Sequence, residues 1–216
     1  MPYISDKSYL VESKDLGGAL LIRWAQEGEE LALHWALLHG PDQINATDAD
    51  GCTAFIHAVM NSHHSILRRL LAEPALDVNI IDGFGRTALS HAVSNINHPE
   101  IVRMLLEDSR VDVNLAGESY PPPLSDAATQ DDVNILRMLL AAPDIDVNIL
   151  HPGFYNWTPL HYAVESDRPA AVRMLLERDD VDAEPQDTRG WTPMFVAGHV
   201  GSAVSEQLLL LRNALM

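Results

Sequence analysis

The sequence predicts an all-α fold, a solenoid of stacked helix–turn–helix units. Three recurring series carry that prediction. One is a loop segment: Leu76-Asp77-Val78-Asn79, Val111-Asp112-Val113-Asn114, Ile145-Asp146-Val147-Asn148 and a decayed Val181-Asp182-Ala183-Glu184, with aspartates 35, 34 and 36 residues apart. A second keeps the same step: TAFIHAV from Thr53, TALSHAV from Thr87, PPLSDAA from Pro122, TPLHYAV from Thr158 and TPMFVAG from Thr192. The third is ILRRLL from Ile66, IVRMLL from Ile101, ILRMLL from Ile135 and AVRMLL from Ala171. Such a period marks a repeat architecture, because one helix pair cannot bury its apolar face alone and its neighbours must cover it.

Each unit reads in order as turn, short helix, second helix and loop. The first helix opens at Thr, a good N-cap, with Pro or Ala at its first position. Its apolar residues are small, which lets the next unit approach closely. The second helix places Ile101 with Leu105, and Val102 with Leu106, at helical spacing. Asp131 and Asp132 stand near the start of a second helix, where negative charge suits the dipole. Arg68, Arg103, Arg137 and Arg173 recur on the second helices as a solvated outer face. Arg69–Glu73, Arg103–Glu107 and Arg173–Glu177 are spaced to pair along one helix face. At the N-terminus, ALLIRWAQEG and ELALHWALLHGPDQINATD read as a degenerate helix pair. At the C-terminus, SAVSEQLLLLRNALM reads as a closing helix docked by leucines, or alternatively as a dimer contact.

Composition narrows the function. Apolar residues make up 47% of the 216, enough to bury a core and too many for a disordered chain. No apolar run reaches the roughly 18 residues needed to span a bilayer. The first residues lack a basic head followed by an apolar run, so no secretory signal is expected. The single Cys52 excludes an internal disulfide, and a cytoplasmic or nuclear location is expected. The sequons at Asn45 and Asn156 are then chance matches. Acids outnumber bases 31 to 14, which argues against nucleic acid and against an anionic membrane surface, and favours a basic or neutral partner. Solubility alone accounts for the charge equally well.

The chain resembles the ankyrin repeat family. The resemblance rests on Thr158-Pro159-Leu160-His161-Tyr162-Ala163, on the Asp-Gly turns at Asp48 to Gly51 and Asp82 to Gly85, on the Asp-Val-Asn loops and on the period. It implies an ankyrin-repeat solenoid with short turn or hairpin tips: an N-terminal extension at 1–16, a degenerate capping repeat at 17–47, four repeats at 48–187 and a C-terminal capping repeat at 188–216. The third full unit departs from the pattern, with Tyr120 where a turn glycine is expected and three prolines after it. Ser90 and Ser125 replace the first-helix histidine that the family uses to bond its turn, and His161 retains it.

The resemblance also implies a concave groove lined by turn tips and first helices, where partners bind. Six of the 13 aromatic residues fall in the turns or beside them. The candidate partner-binding residues are Phe84, Arg86, Tyr120, Phe154, Tyr155, Trp157 and Trp191, since exposed rigid aromatics make good anchors. Trp157 and Trp191, each directly before Thr, suit packing on the neighbouring turn equally well. The expected function is therefore non-catalytic binding of a protein or peptide with basic and apolar residues, the chain being a monomer by default and requiring no cofactor.

Two rivals remain. An atypical enzyme or small-molecule binder would use the residues preceding the first-helix alanine, Trp24, His57, His91, Asp126, Tyr162 and Val196. In it His57, His91, Asp126 and Tyr162 would do the acid–base chemistry, with Asp126 orienting His91. A hydrogen-bonding ladder is the plainer account of that column, and the column alone makes no metal site. An adaptor subunit of a larger complex is the other rival, docking through residues 1–16, which hold both lysines, Lys7 and Lys14, with Tyr3 and Tyr9. His63, His64 and His98 are expected as caps or surface. Cys52 lies at a turn tip beside Asp48 and Asp50, which disfavours a thiolate. Gly-rich phosphate loops, a Gly-x-Ser-x-Gly elbow and a His-Glu-x-x-His motif are all absent from the sequence.

Overall fold

In the computed structural model, residues 14–39, 41–95 and 98–215 are described, and they contain helices and turns but no strand beyond two isolated bridges. The chain divides into two compact units at Asp77/Val78. The first unit holds α1 (Lys14–Glu27), α2 (Glu30–His39), a 3-10 turn (Pro41–Gln43), α3 (Ala54–Met60) and α4 (His64–Leu71). Here α1 packs on α2 and α3, α3 on α4, and α2 on α4, around Leu33, Phe55, Ile56, Ile66, Leu67 and Leu70.

The second unit holds four helix pairs: α5 (Ala88–Ser94) and α6 (Pro99–Leu106), α7 (Pro123–Ala128) and α8 (Asn134–Leu140), α9 (Pro159–Glu165) and α10 (Pro169–Leu176), α11 (Pro193–Val200) and α12 (Ala203–Leu215). First helices stack in the order α5, α7, α9, α11, each against its own second helix. The small residue at the centre of each first helix makes this possible. Ala92, Ala127, Ala163 and Ala197 are all 0–1% exposed, so neighbouring backbones meet where a longer side chain would hold them apart.

The caps form as the threonines predict. Thr53, Thr87 and Thr192 Oγ1 accept the amides of Ile56, Ser90 and Phe195 at 3.2, 3.2 and 3.3 Å. His161 adds a longer-range tie. Its Nε2 faces the Trp191 carbonyl at 3.1 Å and must donate there, which leaves Nδ1 to accept from the Thr158 amide at 3.3 Å. Ser125, at the same position of α7, is fully buried with an unpartnered hydroxyl.

The Asp-Val-Asn loops form an asparagine ladder. Asn114 Nδ2 donates to the Asp144 carbonyl at 2.7 Å while its Oδ1 accepts the Asp146 amide at 2.9 Å. Asn79 does the same with Arg110 and Asp112, Asn148 with Asp180 and Asp182, and Asn45 with Ala75 and Asp77. One carboxamide thus satisfies both a backbone donor and a backbone acceptor of the next loop, from separate N–H and C=O groups.

Several expectations need correction. α1 begins at Lys14, inside the segment read as an extension, and residues 1–13 lie outside the described residues. Arg69 pairs with Glu73 at 2.7 Å, but Arg103–Glu107 and Arg173–Glu177 form no ion pair. Long exposed side chains gain too little from such pairs to hold them in one geometry. His63 makes no side-chain cap for α4 and instead donates to the Gln26 carbonyl at 3.1 Å. The closing helix docks through Leu209, 1% exposed, and leaves Leu210 and Leu211 at 60% and 56%. Consecutive leucines cannot all lie on one helical face.

Candidate protein-binding surface

Three turns share one construction. Asp48, Asp82 and Asp187 each donate their amide to the carbonyl four residues on, at 3.0, 2.9 and 2.9 Å. Oδ1 of each then accepts the amides two and four residues on: Asp50 and Cys52, Phe84 and Arg86, Arg189 and Trp191. Gly51, Gly85 and Gly190, at φ 78°, 82° and 77°, take the left-handed position before the closing residue.

The turn at 151–157 is different. His151 donates its amide to the Trp157 carbonyl at 2.9 Å, so the closure spans six residues, two more than elsewhere. Asn156 (φ 57°) takes the left-handed position of the glycine, and Tyr155 (φ 55°) is left-handed beside it. Gly153 is obligatory, since a Cβ there would lie 1.7 Å from the Glu118 carbonyl oxygen. His151 Nε2 donates to that same carbonyl at 2.9 Å, and its Nδ1 accepts the Tyr162 hydroxyl at 2.6 Å. The two extra residues lift Phe154 and Tyr155 outward, 40% and 45% exposed.

From that tip an aromatic row continues to the last turn. Phe154 meets Tyr155 edge-on at 5.1 Å and Trp157 at 4.8 Å. Arg189 lies 3.8 Å from the ring centroids of both Tyr155 and Trp191, and Asp187 holds its guanidinium at 2.8 Å. Trp191 packs on Phe195 at 4.7 Å, and Phe195 is 51% exposed. Two further candidates form a smaller pair, Arg86 stacking 3.9 Å over Tyr120. Phe84 is 59% exposed.

Of the residues singled out from the sequence, then, Phe84, Phe154 and Tyr155 face outward, while Arg86, Tyr120 and Trp191 are half-buried. Trp157 is sealed at 5% exposure and is corrected to a supporting role: it stacks on His161 at 5.7 Å and donates Nε1–H to Asp187 at 3.0 Å. Sequence reasoning did not single out Arg189 or Phe195 as contact residues. Phe195 occupies the third helical position, where Ser90, Ser125 and His161 are fully buried, yet it stands 51% exposed.

The polar column is corrected as well. Its members bond mainly to turns or to other side chains rather than to one another. His57 Nε2 donates to Asp48 and His91 Nε2 to Asp82, both at 2.7 Å, and Tyr162 bonds to His151. Asp126 does not orient His91: its Oδ2 accepts the Ser94 and Tyr120 hydroxyls at 2.9 and 3.1 Å. Val196 offers no donor, so Asp187 takes its side-chain bonds from Trp157 and Arg189 instead. Two clefts of about 290 and 420 Å³ lie on the loop side, lined by residues such as Leu115, Leu150 and Pro152 or Arg110 and Pro143, and neither includes a column residue.

Electrostatics separate these carboxylates. Burial works against the charge of Asp48, Asp82 and Asp187, but hydrogen bonds from histidine, backbone amides, Trp157 and Arg189 prevail and hold all three below the usual range, Asp187 at about 2. Burial wins at Asp126 and pushes its carboxyl up, because two hydroxyls compensate less than amides and cations do. Burial likewise depresses His161 and raises the Tyr120 and Tyr162 phenols.

Comparison with known proteins agrees with this construction. A family model described as ankyrin repeats (3 copies) matches residues 21–116 and 123–214. The fold is similar to the crystal structure of EF0377, an ankyrin repeat protein, with a TM-score of 0.77 and 21% identity over 89% of this chain and 96% of that one. It is also similar to a chain in the structure of Bd0816, a predatory endopeptidase from Bdellovibrio bacteriovorus, in complex with immunity protein Bd3460. There the TM-score is 0.71, with 21% identity over 93% of this chain and 99% of that one. Among the described residues, no helix is long and apolar enough to cross a membrane.

Proposed function

This chain belongs to the ankyrin-repeat family, whose members are generally protein-interaction modules, and from that premise we propose that it is a non-catalytic module binding a protein or peptide along its aromatic-tipped face. The observation that carries the reading is the row Phe154, Tyr155, Arg189, Trp191 and Phe195. Its members are braced by rings, Asp187 and the left-handed tip, yet Phe154, Tyr155 and Phe195 stay 40–51% exposed. Rings ordered before binding lose little entropy when a partner arrives.

The partner presents an apolar or aromatic anchor flanked by Lys or Arg. The net charge of −17 favours such a sequence and disfavours nucleic acid or an anionic membrane. A reducing cytoplasmic or nuclear compartment suits the lone, buried Cys52. The similar chain from the Bd0816–Bd3460 complex shows that a fold of this kind occurs in a protein–protein assembly.

Selection of peptides from a random library against the full chain tests the reading. Selected sequences should be rich in aromatic and basic residues, and a Phe154→Ala/Tyr155→Ala variant should bind them more than about tenfold more weakly while keeping its helical circular dichroism. Equal binding by that variant would refute the surface.

A further inference from the structure

In the first unit, the turn carrying Asp48 differs from its relatives in one respect. The Asp–His bond is not peculiar to it, since Asp82 and His91 repeat it at the same 2.7 Å. What differs is the closing residue before the Thr cap: Arg86 in the second turn, Trp157 and Trp191 in later ones, and Cys52 here. The side chain at that position lies beside the column residue of its own helix, as Trp157 and Tyr162 show with centroids 5.4 Å apart. Cys52 therefore brings a thiol to a carboxylate and an imidazole that are already joined.

We propose that this turn is a zinc site, in which Cys52 Sγ, His57 Nε2 and Asp48 Oδ2 bind one Zn²⁺. One ligand atom from each of the three residues lies within 4.8 Å of the other two. Tetrahedral bonds of about 2.0–2.3 Å put ligand atoms roughly 3.3–3.7 Å apart, so small side-chain shifts complete the set. Asp48 is oriented in advance, because its other oxygen, Oδ1, is held by the Asp50 and Cys52 amides at 3.0 and 2.9 Å. Cys52 and His57 are 3% and 9% exposed, which keeps their bonds to the metal dry, while the Asp48 side chain, 27% exposed, leaves a way in.

The fourth position falls to water or to Gln26 of α1. The Gln26 amide group lies 3.1 Å from His57 Nε2, close to the edge of such a tetrahedron, and half a turn of the amide presents oxygen in place of nitrogen. Binding releases one proton, from the Cys52 thiol, while the His57 proton moves from Nε2 to Nδ1, and the resulting thiolate and the Asp48 carboxylate neutralise the ion. The second turn cannot do this, because Arg86 puts a cation where the thiol would be. The sequence column of first-helix residues gave no such set; the ligands come from a single turn and its own helix, at positions 48, 52 and 57.

The test uses the full chain, reduced and freed of metal, with Zn²⁺ added against a chromophoric chelator and Co²⁺ added as a spectroscopic substitute. The expected results are one Zn²⁺ per chain, release of one proton and a near-ultraviolet thiolate-to-cobalt charge-transfer band. Cys52→Ser should abolish the band and weaken Zn²⁺ binding more than about tenfold, while His91→Gln changes neither. A cobalt complex without the thiolate band, or a Cys52→Ser chain that holds Zn²⁺ as tightly as before, overturns the proposal. Should Cys52→Ser fail to fold by circular dichroism, the cobalt spectrum of the unaltered chain and of His57→Gln decides.

Discussion

Trp157 and Asp187, thirty residues apart in sequence, are joined by an indole N–H donated to a carboxylate at 3.0 Å. The bond ties the widened turn of one repeat to the turn of the next, and the Thr188 amide reinforces it by donating to the Tyr155 carbonyl at 3.0 Å. Trp157→Phe keeps a ring in the site but removes the donor. It should cost about 1–3 kcal/mol, read as a lower urea midpoint with an unchanged slope. An unmoved midpoint would show that the bond contributes nothing net.

Asp187 also sets an acid limit. Its carboxyl lies at about 2 in the folded chain, below its unfolded value, so the stability it contributes is complete above the unfolded value. That stability is lost as pH falls from about 4 towards 2. Thermal melts across this range should show a steeper loss for the native chain than for Asp187→Asn.

His161 acts at milder pH. It is buried and depressed below its ordinary value, so the folded state holds it neutral. Its contribution is present above about pH 6.5 and declines as pH falls through the folded value, where folding must give way to protonation. His161→Gln retains a side-chain amide, and its melting temperature should vary less between about pH 7 and 5.

Asp126 has the opposite sign. Burial raises its carboxyl, so ionisation at neutral pH works against the fold, and the group's favourable contribution is lost as pH rises through the raised value. Asp126→Asn keeps an acceptor for Ser94 and Tyr120 and removes the charge. It should raise the melting temperature at neutral pH, with the gain shrinking in acid; a lower melting temperature at neutral pH would contradict this.

The asparagine ladder predicts a repeat-to-repeat cost. Asn114→Ala leaves the Asp144 carbonyl and the Asp146 amide without their partner, and should lower stability by about 2 kcal/mol in denaturant melts. Asn114→Asp keeps the acceptor, loses the donor and should fall between the two.

The helices were legible because their signals are local. Thr caps, apolar spacing and the Asp-Val-Asn loops each act within a few residues, and stacking repeats them at a fixed period. The proposed binding surface was legible in part: Phe154 and Tyr155 stood out as aromatics crowded into a turn. Trp157 was ambiguous, because a ring before a Thr cap can turn out to the groove or in to the next turn. Phe195 was invisible, since the same helical position is interior in other repeats and spacing along the chain does not set its exposure.

Period, helix boundaries, small-residue packing and overall charge are thus written in residue order, where short-range sterics and hydrogen bonding act. Partner choices such as Trp157 with Asp187, Asp126 with Tyr120, and the thiol of Cys52 beside His57 belong to the folded chain. They depend on which of several competing donors, acceptors and ring faces come within about 3–6 Å once the helices have stacked, and side-chain direction at that range follows from packing across repeats rather than from spacing along the chain.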